Sequence, residues 1–375
     1  MRVAVFIVIV LVIWSAEHLY VGWRVLGLEL AQQQPGRICL IILFALGWLS
    51  YPLGRTIYAF GWHGIGRSLE YLGGIWMGVL FLVLGALAAV DVLTVGGKLL
   101  ADHVQQLRVG ATTVAVAASM VAWASAALGP RIVEHEVRLA GLPPSADGTT
   151  LVHLSDVHLG TILGGAWLDR MVQRVNRLDP AAVVITGDLI DGDAGVVSEF
   201  VPQLRKLRAV HGVFSILGNH EYYAGRTNSR RLMEEAGFET LDNRAVEIMH
   251  GLWIAGVPDD RGSRQTGPGE ANLARAVAPV GVDQILVLLQ HAPHDELEAA
   301  ELGVDLMLNG HTHGGQLWPF HYLVQLAYPH LAGRYDVGGM VQIVSRGTGQ
   351  WGPPMRLFAP AEIIRITLRS EATGS

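Results

Sequence analysis

Five short motifs in the second half of the chain bring together aspartate, histidine and asparagine in spacings that suit metal chemistry. In chain order they are Asp156-Val157-His158, Gly187-Asp188-Leu189-Ile190-Asp191, Gly218-Asn219-His220-Glu221, Gln290-His291 and Gly310-His311-Thr312-His313-Gly314-Gly315. Carboxylate, imidazole and amide groups bind divalent cations, and paired cations promote hydrolysis of phosphate esters. Each motif is weak alone, but the five together predict a two-metal hydrolytic site.

Each of these motifs follows a short apolar run, where a strand is expected to end. The runs are Leu151–Leu154, Ala182–Ile185, Val213–Leu217, Ile285–Leu289 and Leu306–Leu308. Ligands in layered α/β folds gather beyond the carboxyl ends of strands. We therefore expect the polar motifs to meet at one edge of the fold.

The residue types within the motifs suggest different roles. Asp188 has two carboxylate oxygens and can bridge two cations, and a role as a helix N-cap is its structural alternative. His220 is a candidate proton donor, because an imidazole beside a metal ligand can protonate a leaving group. The paired histidines His311 and His313 are placed to reach two different ions. Asp191 stays open between a cap, a surface carboxylate and a site residue.

Other polar residues near the motifs have simpler explanations. His153 lies inside a strand pattern and is expected to be a core residue. His294, three residues after His291, is expected to lie outside the site. Arg346 follows a strand-like run, and contact with a substrate phosphate and an ordinary surface position remain equal alternatives.

Composition divides the chain into two parts. The chain of 375 residues is 51% hydrophobic with a mean hydropathy of +0.36. Residues 1–130 contain only five acids, and most of the charge follows. We predict a membrane region at 1–130 and a soluble domain at 131–375. The net charge of −6 argues against a nucleic-acid scaffold, which is normally basic.

The first part contains four apolar stretches that approach the length needed to cross a bilayer. They are Val3–Val21, Ile38–Phe60, Tyr71–Val95 and Val109–Leu128. Ser50-Tyr51-Pro52 interrupts the second stretch, so three spans remain an alternative, and the first stretch has a signal peptide as its alternative. With four spans, five basic residues would lie on one side of the membrane and four on the other. This difference is too small to predict the orientation of the chain.

The second part alternates short apolar runs with helical patterns, which predicts α/β layers. Ile132–Leu139 alternates apolar and polar residues and predicts a half-buried strand. The helical patterns lie at Trp167–Leu178, Val196–Arg208 and Ser229–Ala236.

The five motifs resemble those of the calcineurin-like metallophosphoesterase superfamily, over roughly Thr150 to Leu368. The stretches His313–Pro319 and Ser345–Arg356 resemble a bacterial subgroup similar to the YkuE and YaeI phosphoesterases. Several members of that subgroup carry membrane segments before the domain. Nothing in the membrane part adds a recognisable catalytic motif.

The resemblance implies a four-layer α/β/β/α sandwich with two divalent metal ions, drawn from Mn, Zn, Fe or Mg. By position, one ion takes Asp156, His158, Asp188 and His313, and the other takes Asp188, Asn219, His291 and His311, with Asp188 bridging. A sub-type that binds ferric iron has tyrosine where this chain has Asp191, so the chain departs from that sub-type.

These expectations describe a multi-pass cell-membrane phosphoesterase that hydrolyses a phosphate mono- or diester with a metal-activated hydroxide. Because the domain follows a membrane helix, its substrate is expected to be a lipid or lipid-linked ester, with the bilayer as a second partner. Two alternatives remain: a catalytically silent scaffold, and a regulatory hydrolase attached to a small transporter or sensor. Glu17, His18 and Asp91 are the ionisable groups that a transporter would use.

Overall fold

The computed structural model describes residues 2–371, apart from 193 and 268. Contacts within the chain divide it into two compact units. One unit takes in the residues up to Ala127 together with Leu317–Pro319 and Gly352–Phe358. The other takes in Leu128–Gln316, Phe320–Trp351 and the chain from Ala359 onward. All the motif residues named as candidate ligands lie in this second unit.

The first unit is built from long apolar helices. They are α1 (Arg2–Leu26), α2 (Gly36–Ala59), α3 (His63–Leu93) and α4 (Val104–Ala127). Among the described residues, these four helices are long and apolar enough to cross a membrane. The expected four apolar helices are confirmed, and α2 continues through Pro52. Proline is tolerated in such helices where neighbouring groups satisfy the backbone.

Polar side chains in this unit are paired with one another. Arg24 and Arg108 form ion pairs with Asp91 at 2.6 and 2.9 Å, and the Tyr20 hydroxyl donates to the same carboxylate at 2.6 Å. These contacts join α3 to α1 and α4. The ionisable group Asp91 therefore has partners within the helix bundle, which is what a packing role requires.

Two short segments from late in the chain belong to the helical unit. The side chains of Leu317, Met355 and Leu357 are buried in one apolar cluster with residues that include Trp14 and Leu80. The backbone of the second segment is also held, because the Arg356 N–H donates to the Ala122 carbonyl at 2.8 Å. The helical unit is therefore completed by residues that the sequence pattern did not assign to it.

The second unit contains two mixed sheets. Their strands are β1 (Arg131–Leu139), β2 (Thr150–Leu154), β3 (Ala182–Ile185), β4 (Val213–Ser215), β5 (Glu239–Thr240), β6 (Arg244–Met249), β7 (Leu252–Gly256), β8 (Ile285–Leu289), β9 (Leu306–Asn309), β10 (Gly333–Val337), β11 (Met340–Val344) and β12 (Glu362–Ser370). The strand orders are β1-β12-β2-β3-β4-β5 and β10-β11-β9-β8-β7-β6. Strands β2 to β5 are parallel, as are β7, β8, β9 and β11.

Short helices connect these strands. They are α5 (Gly165–Asn176), α6 (Ala194–Val197), α7 (Val201–Leu204), α8 (Asn219–Tyr223), α9 (Arg226–Glu235), α10 (Asp260–Thr266), α11 (Leu273–Val277), α12 (Glu296–Glu301) and α13 (His321–Ala327). The single helix predicted at Val196–Arg208 was wrong in one respect, because it is divided into α6, a 3-10 turn and α7. Pro202 lies in the first turn of α7, where its missing N–H costs no helical hydrogen bond.

Three apolar clusters define the layers of this unit. Between the sheets, Leu151 and Val184 pack in one cluster with Val287 and Leu308. A second cluster joins the outer face of the first sheet to α5, α7 and α9. A third joins the outer face of the second sheet to α11 and α12. The order of layers is therefore α/β/β/α, which confirms the predicted fold class.

Candidate metal centre

The loops that follow β2, β3, β4, β8 and β9 carry the candidate site residues. Because parallel strands end at a common edge, these loops come together. The Asp156 N–H donates to the Gly187 carbonyl at 3.1 Å, and the His158 N–H donates to the Asp188 carbonyl at 3.0 Å. The Gly310 N–H donates to the His291 carbonyl at 2.8 Å in the same way. Backbone hydrogen bonds thus hold neighbouring loops together independently of their side chains.

One group of potential ligands consists of Asp156, His158 and His313. Each offers a ligand atom, and these atoms all lie within 4.8 Å of one another. The His158 and His313 Nε2 atoms are 3.1 Å apart, and His313 Nε2 is 3.5 Å from Asp156 Oδ1. All three side chains are buried. The structure thus brings together the loop after β2 and the loop after β9, since His158 and His313 are 155 residues apart in the sequence.

A second group consists of Asp188, His291 and His311, again with ligand atoms within 4.8 Å. His291 Nε2 lies 3.2 Å from Asp188 Oδ2, 3.1 Å from Asn219 Oδ1 and 3.1 Å from His311 Nδ1. Its other nitrogen, Nδ1, is 2.7 Å from the Thr186 carbonyl, which fixes the ring.

Asp188 belongs to the second group and also lies close to the first. Its Oδ2 atom is 3.9 Å from His158 Nε2 in the first group and 3.2 Å from His291 Nε2 in the second. Burial would raise the pKa of Asp188, but the imidazoles of His291 and His220 hold it well below the ordinary value. The carboxylate is therefore ionised, which is the form that binds cations.

The protonation state of two of the imidazoles, His158 and His311, also suits metal ligation. Burial is the main reason that the pKa of His158 falls to about 4 and that of His311 to about 3. Both imidazoles are then neutral and have a lone pair to offer. Buried carboxylates, imidazoles and an amide oxygen, without any thiolate, form a donor set that fits two divalent cations.

Five of these residues have a left-handed backbone. The φ angles are 52° for Asp156, 51° for His158, 51° for Asp188, 69° for His311 and 52° for His313. This conformation costs about 1–3 kcal/mol for a non-glycine residue and persists where the surroundings enforce it. Such strain gathers at functional sites, and here it turns the side chains of consecutive loops toward a common point.

Two glycines allow the loops to approach closely. A Cβ on Gly310 would overlap Ser155 Oγ and Asp156 Oδ2, and a Cβ on Gly218 would overlap Asp188 Oδ1. Glycine is thus required at both positions by the space that the carboxylates occupy.

Gly310→Ala is expected to displace Asp156 and to weaken metal binding, with a loss of about 1–3 kcal/mol in the free energy of unfolding from overpacking. Metal content after dialysis and urea unfolding of the detergent-solubilised protein would measure both effects. Gly164→Ala is the matched control, because nothing lies within 4 Å of the added methyl group. Equal metal content in the two variants would contradict the steric argument.

His220 lies beside the metal-ligand groups and pairs with Asp191. The His220 Nδ1 atom is 3.2 Å from Asp191 Oδ1, and the His220 N–H donates to Asp188 Oδ1 at 2.9 Å. Burial lowers the pKa of the imidazole, but the charges of Asp188 and Asp191 outweigh it and raise the pKa to about 9. Of the three roles left open for Asp191, the structure places it as a partner of His220.

Glu221 has a structural role that the sequence did not reveal. Its carboxylate is fully buried and accepts from the N–H groups of Asp188 (2.9 Å), Ile190 (3.0 Å) and Gly218 (2.7 Å). It therefore joins the loop after β3 to the start of α8. Its position three residues after Gly218 was the available signal, because a glutamate there often bonds back to the N-cap.

Glu221→Ala is expected to leave three buried N–H groups unsatisfied, at about 1–3 kcal/mol each. We expect the free energy of unfolding to fall by about 3 kcal/mol or more and metal affinity to fall with it. Urea unfolding and metal content would report these losses. Glu301→Ala on the exposed end of α12 is the control, with an expected change within about 0.5 kcal/mol. If Glu221→Ala behaved like this control, the loop-joining role would be wrong.

His153, His294 and Arg346, the other polar residues considered in the sequence, are not members of the two ligand groups. His153 is fully buried and 2.8 Å from Thr186 Oγ1, as expected of a core residue. His294 contacts Asp295 at 2.6 Å. Arg346 forms an ion pair with Glu362 at 3.0 Å, which gives this side chain a structural partner.

Comparison with known proteins identifies a matching family and several relatives. The family profile described as "Calcineurin-like phosphoesterase" matches residues 149–315. An uncharacterized metallophosphoesterase from Aquifex aeolicus is 34% identical over 64% of this chain and 92% of its own length. YkuE of Bacillus subtilis, an uncharacterized metallophosphoesterase, is 30% identical over 63% of this chain and 85% of its own. The chain belongs to the calcineurin-like phosphoesterase family.

A bovine relative named "Transmembrane protein with metallophosphoesterase domain" is 35% identical over 69% of this chain. The match spans 62% of the bovine protein, which is less than two thirds of its length.

Proposed function

We propose that this chain is a membrane-anchored, two-metal phosphoesterase whose substrate is an amphiphilic phosphate ester, either a lipid or a lipid-linked compound. The observation that supports the proposal is a pair of ligand groups that lie close to one carboxylate, Asp188. The same chain contains four helices long enough to cross a membrane. We retain residues 1–130 as the membrane domain, with several passes, and 131–375 as the catalytic domain.

In this proposal, Asp156, His158 and His313 would hold one divalent ion, Asn219, His291 and His311 would hold the other, and Asp188 would be available to both. Bound ions of this kind lower the pKa of a water molecule and offset negative charge on phosphoryl oxygens. The chain's own contribution is to keep Asp188 ionised and the imidazoles of His158 and His311 neutral. Both conditions follow from the burial and charges described above.

His220 is proposed to donate a proton to the leaving oxygen. Its Nδ1 atom is occupied by Asp191, so the opposite nitrogen, Nε2, is the one directed away from that carboxylate. The carboxylates of Asp188 and Asp191 raise the pKa of His220, which favours the protonated form that a proton donor requires. Asp191 orients the ring and stabilises its positive charge.

The membrane half is proposed to be an anchor. Asp91, which a transporter could have used, is paired with Arg24 and Arg108 inside the helical unit. The name of the bovine relative also joins a transmembrane region to a metallophosphoesterase domain.

The test uses the full chain in lipid nanodiscs, stripped of metal and reloaded with Mn²⁺. The probes are a water-soluble phosphomonoester and diester and, within the disc, phosphatidic acid as a lipid monoester and phosphatidylglycerol as a lipid diester. We expect metal-dependent turnover with preference for one lipid probe. Turnover of the soluble esters alone would reject the amphiphilic substrate, and no turnover of any ester would reject the hydrolase.

Removing residues 1–129 would be a poor substitute for this experiment. Leu317, Met355 and Leu357 are buried in the apolar cluster of the helical unit, and the deletion would strip their partners away. Loss of activity would then report exposed apolar surface as readily as loss of the anchor.

A further inference from the structure

The segment from Phe320 through α13 exposes an unusual amount of apolar surface. Phe320 is 42% exposed, Tyr322 59%, Leu323 62% and Leu326 84%. None of the residues of α13 is buried, and the stretch from Phe320 to Ala327 contains no charged side chain. Scattered apolar residues are normal on a protein surface, but a contiguous patch of this kind marks a contact site.

This helix is fixed to the candidate metal centre and is not a loose loop. A Cβ on Gly315 would overlap the backbone of His321, so the start of α13 packs directly on the loop that carries His311 and His313. At its other end, the Tyr328 ring lies 5.2 Å from the His311 ring. The Thr312 hydroxyl also donates to the Leu331 carbonyl at 2.6 Å. Whatever covers α13 is therefore held close to the metal-ligand loop.

The chain leading into this helix indicates the occupant. Leu317–Pro319 belong to the helical unit, where Leu317 is buried with residues of the membrane-length helices, and Phe320 follows at once. Helices that present Phe, Trp and Leu side chains on one face lie in the membrane surface, with that face buried about 5–10 Å into the boundary between lipid headgroups and acyl chains. A bilayer surface accounts for both the chemistry of the patch and its place in the chain.

We propose that Phe320 and α13 form an interfacial helix that lies in the bilayer surface and holds the metal centre at the level of lipid phosphate groups. This inference rests on the proposed membrane anchoring and deepens the proposed function, because it names the surface that brings an amphiphilic ester to the site. Its first test does not depend on activity.

Spin labels placed on the full chain in phosphatidylethanolamine–phosphatidylglycerol nanodiscs would measure the depth of α13. The chain's single cysteine makes this direct, since Leu326→Cys in a Cys39→Ala background gives one labelling site. Leu46→Cys, 61% exposed on α2, is the lipid reference, and Val282→Cys, fully exposed before β8, is the water reference. Collisions with oxygen report lipid, and collisions with a nickel chelate report water.

We expect the label at position 326 to resemble the α2 reference, with high oxygen and low nickel accessibility. A label that behaves like the Val282 reference would overturn the proposal. So would a label shielded from both reagents with spin–spin broadening, because that result would show a second copy of the chain on the patch. A label at Leu323→Cys repeats the measurement independently.

A second measurement connects the helix to turnover. The double variant Leu323→Ser and Leu326→Ser should lower hydrolysis of the preferred lipid probe by about tenfold or more and leave hydrolysis of the soluble ester unchanged. The control is Val210→Ser with Val282→Ser, two isolated exposed valines. Equal rates on the lipid probe in both double variants would overturn the role in substrate access. If the unaltered chain hydrolysed no lipid, the proposed substrate would fail while the depth measurement still decided the position of α13.

Discussion

Replacing Asp188 with asparagine is expected to reduce metal-dependent hydrolysis by at least about a thousandfold, which corresponds to about 4 kcal/mol in the activation free energy. Asp188 Oδ2 is the atom that borders both ligand groups, at 3.9 Å from His158 Nε2 and 3.2 Å from His291 Nε2. The amide keeps an acceptor for the His220 N–H but removes the negative charge. The variant should therefore fold and yet bind less metal.

Metal content by plasma mass spectrometry and turnover after reloading with Mn²⁺ would check this prediction together. Asp169→Asn provides the matched control, since Asp169 is an exposed aspartate on α5 that pairs with Lys206. The control should keep full metal content and turnover. Normal turnover in Asp188→Asn would show that the shared carboxylate is not needed and would remove the basis of the two-metal proposal.

His220→Ala is expected to lower turnover by about 10²–10⁴-fold while bound metal remains near its normal amount. The His220 imidazole belongs to neither of the two ligand groups, but it lies beside both of them. It is held by Asp191 at 3.2 Å and by its own backbone N–H to Asp188. Removing the ring deletes the proposed proton donor and leaves the backbone contact in place.

Comparing esters with good and poor leaving groups would identify the step that His220 serves. The loss in His220→Ala should be larger for a poor leaving group, which needs protonation more. Asp191→Asn should show a smaller loss of the same kind, because the ring remains but loses its orienting charge. His250→Ala, on a side chain that is 95% exposed, controls for the loss of an imidazole. Unchanged turnover in His220→Ala would exclude the proton-donor role.

The sequence alone was enough to name the candidate ligands and the apolar helices. Asp156, Asp188 and the His311–His313 pair are recognisable because metal chemistry requires particular functional groups, and these are read directly from residue types. The helices α1 to α4 are recognisable because a bilayer requires a long apolar run. Both requirements are local in the chain, so a local pattern can carry them.

The grouping of these residues depended on the tertiary structure. Asp156 and His313 are far apart in sequence, and they meet because two sheets pack face to face with their parallel strand ends at one edge. The order of the first sheet, in which β12 lies between β1 and β2, has no local signal. The role of Asp191 also depended on the tertiary structure. Only its distance to His220 distinguishes a site residue from a cap or a surface carboxylate.

Two further features were decided only by the fold. Glu221 satisfies N–H groups from two loops, which requires that both loops already be in place. No sequence pattern singled out the apolar residues of α13, and their exposure beside the metal-ligand loop is what distinguishes them. Residue chemistry and the length of an apolar run are properties of the sequence itself. Burial and long-range contact are properties of the folded chain, because they depend on which distant residues cover a given side chain.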